Sequence, residues 1–322
     1  MISKRVASLL MVAALSSFSV PAMAEEFESG SRPLTLMADA EPAAAPAPPE
    51  TPNIHGFAAV SFKTAYVTPR GLVVENQGLV IQPIVGLVLP VGDVGIFKNA
   101  AIVSGIWNCI TTNQNDTNVG GWNEMDFFLS FNATVADKFG TSLTYGAWNF
   151  PQSTVNKPST EHNLDLKISY DDSGLWGKSG FSINPYVDLW WAISGSSTVV
   201  LGAQGDTGYV ELGIAPAFTV TPAKEYPIKL TFPTYFSVGP EEYWGDEESG
   251  GTPDGNFGVF STSINASMPL ACIPSKYGFW HVDAGVSYFY LINDNLLDAG
   301  QILSGNSERN VFVASLGFGF NF

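Results

Sequence analysis

Apolar and polar side chains alternate along most of the chain after residue 54, and this period of two constrains the fold more than any other feature. The pattern is typical of strands whose two faces meet different surroundings. No segment of helical periodicity lies between the alternating segments, which excludes folds that alternate strands with helices. Twelve segments can be counted, at residues 55–67, 78–90, 100–111, 122–135, 139–150, 161–171, 181–194, 208–219, 228–239, 257–269, 277–292 and 310–322.

Charged residues distinguish the two faces of these segments. In segment 122–135, Glu124 and Asp126 share a face with Ser130, whereas Phe127 and Leu129 lie on the other. Once one of the two faces of each segment is assigned as the apolar face, the interior of the segment carries no Asp, Glu, Lys or Arg on that face. Lys or Arg facing lipid at mid-bilayer costs roughly 2–4 kcal/mol, so this avoidance is expected of a membrane wall. The sequence predicts an all-β, antiparallel up-and-down transmembrane β-barrel of about 12 strands over residues 54–322.

The overall composition fits such a barrel. Hydrophobic residues make up 45% of the chain and charged residues 14%, with a mean hydropathy of +0.13. The longest apolar stretch, 79–91, is interrupted by Gln82, Pro83, Gly86 and Pro90, so it does not read as a transmembrane helix. The net charge of −16 argues against nucleic acid as a partner.

The N-terminus has the features of an export signal. Lys4 and Arg5 precede an apolar stretch, and Ala22-Met23-Ala24 supplies a cleavage site. We predict a signal peptide at 1–24, cleaved near Ala24, and location in the outer membrane of a Gram-negative bacterium. Cleavage changes the formal charge from −16 to −18. Residues 25–53 form an Ala/Pro-rich segment, which predicts a periplasmic tail.

The C-terminus and the strand prolines give opposing indications. Phe318, Phe320 and Phe322 share a face of the last segment, which predicts an insertion signal read by the barrel-insertion machinery. Proline removes a donor from the strand ladder, so prolines inside segments imply bulges, shifted strand ends, or a different fold. The alternative fold is a secreted or periplasmic β-sandwich binding protein. The prolines concerned are Pro83, Pro185, Pro216 and Pro233.

The polar face predicts the lumen of a channel. Its carboxylates outnumber its amines by six to three, which favours small cationic or neutral polar solutes over anions. The alternative is that these charges pair across the lumen and plug a structural barrel. The predicted lumen-lining residues are Lys63, Glu124, Asp126, Asp165, Lys167, Asp188, Glu211, Lys229, His281 and Asp283.

Other chemistry has weaker support. His281, Asp283 and Ser287 could serve as base, orienting group and nucleophile of a lipid-processing enzyme, but they point inward and no G-x-S-x-G motif occurs, so we predict no enzyme. Cys109 and Cys272 are predicted to be free, and three histidines leave little for a metal, so no cofactor is expected. The acidic run 241–248 could bridge through divalent cations to lipopolysaccharide, although a solvated loop is the simpler interpretation.

The opening of the barrel region resembles a known family. Tyr66 followed by Arg70-Gly71, and then a second strand starting at Gln77, is similar to the start of the TorF-type porins. The Glu124-Met125-Asp126 strand and the later Phe150-Pro151 also resemble that family. Thr68-Pro69 stands where an aromatic residue is usual. The resemblance implies a porin-type outer-membrane barrel without catalytic residues, and it would place Arg70 in a turn at the outer mouth.

Overall fold

The structure is a computed structural model that describes residues 54–113, 120–152, 160–177, 180–194, 206–223, 226–247 and 251–322. The predicted signal peptide and tail therefore lie outside the described residues. The strands are β1 (His55–Lys63), β2 (Tyr66–Val67), β3 (Val73–Glu75), β4 (Val80–Val94), β5 (Phe97–Thr111), β6 (Trp122–Val135), β7 (Phe139–Asn149), β8 (Thr160–Tyr170), β9 (Pro185–Ser194), β10 (Gly208–Ile214), β11 (Ala217–Ala223), β12 (Tyr226–Thr231), β13 (Thr234–Val238), β14 (Phe257–Pro269), β15 (Phe279–Leu291) and β16 (Asn310–Asn321). The helices are α1 (Glu241–Trp244) and α2 (Asp294–Ser304), with 3-10 turns at Ser173–Trp176 and Ser275–Tyr277.

All strands except β2 and β3 pair in one antiparallel sheet that closes on itself. The first strand β1 pairs with the last, β16, from Phe57↔Asn321 to Lys63↔Ser315, and β14 pairs with β13 and β15. Strands β10 and β11 form one crossing of the wall, as do β12 and β13, so the cylinder has twelve crossings. The predicted 12-stranded barrel is confirmed. The β-sandwich alternative is wrong, because two stacked sheets would not share a continuous ring of strand pairs.

Prolines lie where two crossings of the wall are each divided into two strands. Pro185 begins β9, while Pro216 separates β10 from β11 and Pro233 separates β12 from β13. These residues lie at strand boundaries, which is one of the outcomes that the sequence left open, because proline has no N–H for the ladder. Pro83 is different because it lies inside β4 opposite Val60.

The outer surface of the barrel is an apolar belt. Leu129 in the middle of β6 has 53% of its surface exposed, and comparable exposure occurs around the wall at Val85, Leu87, Leu143, Ile264, Val286 and Leu316. The neighbouring residues on the opposite face, such as Glu124, Asp126 and Ser130, are buried. Since the alternation places apolar groups outside and carboxylates inside, the wall is suited to hydrocarbon.

The two ends of the barrel differ in the length of their connections. The strand ends that are joined through residues 64–79, 112–121, 150–159, 195–207, 239–256 and 292–309 lie at one end of the barrel, here called the long-loop end. The opposite, short-turn end carries both ends of the closed sheet and connections 95–96, 136–138, 171–184, 224–225 and 270–278. The turns expected at 90–99 and 220–227 are shorter than predicted because the flanking strands continue further.

Asp172 organises the connection 171–184 at the short-turn end. Its carboxylate accepts hydrogen bonds from Ile183 N and Asn184 N, both at 2.9 Å, and from Trp176 Nε1 at 2.7 Å. Desolvation acts to raise the pKa of this carboxyl, but the hydrogen bonds outweigh it and leave the pKa lowered. The ionised form therefore stabilises the turn.

Two sequence expectations fail at the long-loop end. The first strand ends at Lys63 rather than residue 67, because the chain then turns into the barrel. Helix α2 lies where no helical periodicity was recognised. It is capped by Asn293, which accepts a hydrogen bond from Asn295 N, and it ends before Gly305 in the left-handed conformation. None of the helices in the described part of the chain has the length and hydropathy needed to cross a bilayer.

Candidate functional site

A hairpin made of residues 64–79, the inserted hairpin, crosses the lumen at the long-loop end. Its base leaves β1 and returns to β4, whereas its tip contacts other parts of the wall: Tyr235 Oη in β13 donates a hydrogen bond to Pro69 O at 3.0 Å. A Cβ at Gly71 would lie 3.1 Å from Val259 Cβ in β14. The hairpin therefore bridges well-separated sectors of the barrel.

Helices α1 and α2 pack around this hairpin. Ser304 Oγ at the end of α2 donates a hydrogen bond to Val73 O at 3.1 Å. The buried apolar cluster there combines residues of the hairpin, the helices and the wall: Ala65, Val67, Leu72, Val73, Trp190, Tyr209, Tyr243, Trp244, Val259, Phe289, Leu291, Leu296, Ala299, Leu303, Val311 and Val313. This end of the lumen is therefore filled by apolar side chains, and an open pore would require the hairpin to move.

Two contacts hold the base of the inserted hairpin. Tyr66 Oη donates a hydrogen bond of 2.7 Å to Glu124 Oε2, and its ring lies 5.6 Å from that of Trp107. The fully buried Glu75 accepts hydrogen bonds from Gln77 N at 2.8 Å and Thr111 Oγ1 at 3.1 Å. Two buried carboxylates thus fix the base of the hairpin to β5 and β6.

Strand register arranges the charged residues of the interior into rows. Lys167, Asp188 and Glu211 are consecutive cross-strand partners on β8, β9 and β10. The Lys167 ammonium lies 4.2 Å from the ring centre of Tyr186. Because all three charged side chains are at most 5% exposed, this row concentrates negative charge away from bulk water.

The structure buries most of the residues that the sequence assigned to the lumen. Lys229 is an exception, being only half-buried on β12 near the short-turn end. The buried residues are Lys63, Glu124, Asp126, Asp165, Lys167, Asp188, Glu211, His281 and Asp283. Their burial on the inner parity fits the prediction, and contact with a solute stays a prediction. Phe318 and Phe322 are exposed on the outer face and Phe320 is partly so; their role as an insertion signal also stays a prediction.

The interior is less uniformly polar than the alternation predicted. A second buried apolar cluster lines the wall formed by β1, β4, β5 and β6: Phe57, Tyr66, Val80, Ile84, Val88, Ala101, Val103, Trp107, Cys109 and Phe128. Strand β4 is therefore apolar on both faces over much of its length. One sector of the lumen is lined by apolar side chains, and the carboxylate-rich sector lies mainly on β6 to β10.

Sequence reasoning missed a cluster that surrounds Arg70. The resemblance placed Arg70 in a turn at the outer mouth, but its side chain is only 9% exposed and points into the barrel. Its Nη2 lies 3.9 Å from Glu161 Oε2, and its guanidinium lies 5.2 Å from the ring centre of Trp148. The parity of Glu161 with Asp165 signals an inward side chain. The alternation of apolar and polar residues does not indicate, however, that the hairpin folds into the barrel and brings Arg70 to Glu161.

Aromatic rings extend from this cluster. Trp148 lies 5.7 Å from Trp190, Trp190 lies 6.0 Å from Tyr209 with nearly parallel rings, and Tyr209 lies 4.9 Å from Tyr243. Burial raises the pKa of the Tyr243 phenol to about 12, although Arg70 acts in the opposite direction. Desolvation acts to lower the pKa of Arg70, but Tyr243 and Glu161 outweigh it and raise the pKa overall. Arg70 is therefore a permanent cation beside an aromatic wall.

The geometry on β15 does not favour a hydrolase. His281 Nε2 lies 3.2 Å from Asp283 Oδ2, and Ser267 Oγ donates a hydrogen bond of 2.7 Å to Asp283 Oδ1. Ser287, however, is six residues from His281 on the same strand, which corresponds to about 20 Å at the rise of an antiparallel strand. Its hydroxyl accepts a hydrogen bond from Ser263 Oγ at 2.8 Å. These three residues do not form a catalytic triad.

The other features for which the sequence suggested chemistry are the two cysteines, a metal site and the acidic run 241–248. Cys109 is buried in β5, Cys272 is exposed at the short-turn end, and both are free. Over the residues that the structure describes, no group of three or more His, Cys, Asp and Glu side chains could hold a metal ion. The acidic run 241–248 begins as α1, which exposes Glu241 and Glu242 but buries Tyr243 and Trp244.

Comparisons with known proteins find similarity in structure alone. No family model and no curated protein matches the chain, so membership of the TorF-type porins stays a prediction. An outer membrane channel from Pseudomonas putida F1 aligns with 11% identity and a TM-score of 0.47, covering 88% of this chain and 100% of that one.

Two further solved structures are similar. LpxR from Salmonella typhimurium shows 8% identity and a TM-score of 0.45, covering 82% of this chain and 99% of that chain. The NanC porin shows 9% identity and a TM-score of 0.41, covering 82% of this chain and 98% of that one. These values assign no solute or activity to this protein, whose barrel follows from its own strand pairing.

Proposed function

We propose that this protein is an outer-membrane channel for small polar or cationic solutes, closed at the long-loop end by the inserted hairpin. The observation that carries the proposal is the charge of the interior. Buried carboxylates on the strands outnumber buried lysines: Glu124, Asp126, Glu161, Asp165, Asp188, Glu211 and Asp283 stand against Lys63 and Lys167. A low-dielectric wall focuses this field, which attracts cations and repels anions.

Planar-bilayer recordings in a KCl gradient test this selectivity. We expect intermittent conductance steps, which require the inserted hairpin to move out of the lumen, and a reversal potential that shows K⁺ permeating better than Cl⁻. Asp188→Asn combined with Glu211→Gln should reduce the preference for K⁺, because it removes two adjacent buried charges. The control is Asp137→Asn in the exposed turn at 136–138, which should leave the preference unchanged. A preference for Cl⁻ in the unmodified protein would refute the acidic-lumen proposal.

The plugged structural barrel is the second candidate, since an apolar cluster fills the long-loop end. A variant in which residues 65–76 are replaced by a short Gly/Ser linker separates the two candidates. A channel closed by the hairpin should conduct more in this variant, whereas a structural plug built also from α2 should remain closed. Absence of conductance steps from both proteins would defeat the channel proposal.

A further inference from the structure

Arg70 stands at the tip of the inserted hairpin, where a tight turn presents its side chain. Gly71 N donates to Thr68 O at 2.8 Å and Leu72 N to Thr68 Oγ1 at 3.0 Å. Gly71 has φ +92°, a conformation that favours glycine. Pro69 fixes the preceding backbone, and its carbonyl is bound by Tyr235. The turn thus points the Arg70 guanidinium toward β7 and β8 on the opposite side of the barrel.

The surroundings of that guanidinium form a site for a planar cation. Trp148 on β7 offers a ring face and Glu161 on β8 a carboxylate only 1% exposed, and these two residues are cross-strand partners. The phenol of Tyr243 on α1 lies close enough to interact electrostatically with the same group. A tryptophan face beside a buried carboxylate recognises guanidinium and amidinium groups, which combine charge with a flat, weakly hydrated surface.

The ion pair between Arg70 and Glu161 is longer than a hydrogen-bonded pair. The separation of 3.9 Å between Arg70 Nη2 and Glu161 Oε2 exceeds the about 2.8 Å of a charge-assisted hydrogen bond, so this pair is an electrostatic contact rather than a bidentate clamp. Arg70 belongs to the inserted hairpin, whose two strands form a sheet of their own, whereas Trp148 and Glu161 belong to the wall. The tip of the hairpin is held against the wall by side-chain contacts, such as that of Tyr235 Oη with Pro69 O, and not by strand pairing. A solute carrying the same group could take its place.

We propose that Trp148, Glu161 and Tyr243 form a binding site for small solutes with a planar guanidinium or amidinium group, which Arg70 occupies as a tethered competitor. While Arg70 holds the site, the inserted hairpin lies across the lumen. A solute that displaces Arg70 removes the contact that holds the tip against β7 and β8. The inference deepens the proposed channel function by naming the class of solute and the contact that it releases.

Binding of benzamidinium to the folded protein in detergent tests the site directly. Titration is followed by calorimetry and by quenching of tryptophan fluorescence. A tethered group acts at an effective concentration on the order of millimolar, so for a site with sub-millimolar intrinsic affinity Arg70→Gln should bind the probe roughly tenfold more tightly than the unmodified protein. Lys98→Gln is the matched control, because it removes one positive charge from an exposed pair at the short-turn end. It should bind as the unmodified protein does.

The double variant Arg70→Gln, Glu161→Gln assigns the binding to this site. It should lose the gain in affinity, and benzoate, which has the same shape and the opposite charge, should bind neither protein. Affinities of the unmodified protein and Arg70→Gln within twofold of each other would overturn the proposal, as would a gain that survives Glu161→Gln.

Folding is verified by heat-modifiable migration on gels. If Arg70→Gln does not fold, Arg70→Lys provides the test, because it keeps the charge but loses the planar group and should give a smaller gain of two- to fivefold. An unchanged affinity in Arg70→Lys would then overturn the proposal. Binding does not depend on conductance, so a protein that binds benzamidinium but never conducts would refute the channel and leave the site.

Discussion

Placing an arginine at Leu129 tests whether the apolar belt faces hydrocarbon. Leu129 lies at the middle of β6, with 53% of its surface exposed, beside Tyr145 of β7 and Ser104 of β5. An arginine facing lipid at mid-bilayer costs roughly 2–4 kcal/mol, and the cost falls to about 0–1 kcal/mol near the interface. We therefore expect Leu129→Arg to lower the free energy of unfolding by that larger amount.

The matched control is Val135→Arg on the same strand and the same face. The two positions are six residues apart, which at about 3.3 Å per residue and a tilt near 40° gives about 15 Å along the membrane normal. Half of an apolar band about 25 Å tall is shorter than this, so position 135 lies at the interface. The control should cost about 0–1 kcal/mol.

Reversible denaturation in phospholipid vesicles, followed by tryptophan fluorescence, measures both free energies. The difference between the two variants should be about 2–3 kcal/mol. Equal costs at the two positions would refute the assignment of this face to the hydrocarbon core. A loss confined to Val135→Arg would do the same, because it would place mid-bilayer at the short-turn end.

Three further predictions concern local structure. A side chain at Gly71 meets Leu296 and a strained φ, so Gly71→Val should loosen the inserted hairpin and raise single-channel conductance above that of the unmodified protein. The lowered pKa of Asp172 contributes stability above about pH 4, its ordinary value, that is lost as the pH falls through the folded-state pKa; Asp172→Asn should flatten stability measured against pH in that acidic range. Maleimide should label Cys272 in the folded protein and Cys109 only after unfolding, and early labelling of Cys109 would contradict the packing of the lumen.

The helix and the inserted hairpin show why part of the candidate site escaped prediction. Helix α2 carries local signals, since Asn293 caps its start, Gly305 follows its end, and Leu296, Ala299 and Leu303 repeat at helical spacing. These signals were overlooked because the helix is short and the surrounding sequence has the alternation of strands. The path of the hairpin has no such signal, because Arg70 and Glu161 are far apart in the chain and meet only across the lumen.

The sequence by itself determined the wall: the approximate strand positions, an irregularity at Pro216 and Pro233, and which face carries charge. Each of these depends on neighbours one or two residues away, through the pleat of a strand or the missing N–H of proline. Only the tertiary structure decided what fills the lumen. The contacts between inward side chains depend on the strand register around the whole cylinder and on a loop that folds back into the lumen. Neither can be predicted from the local alternation of residues.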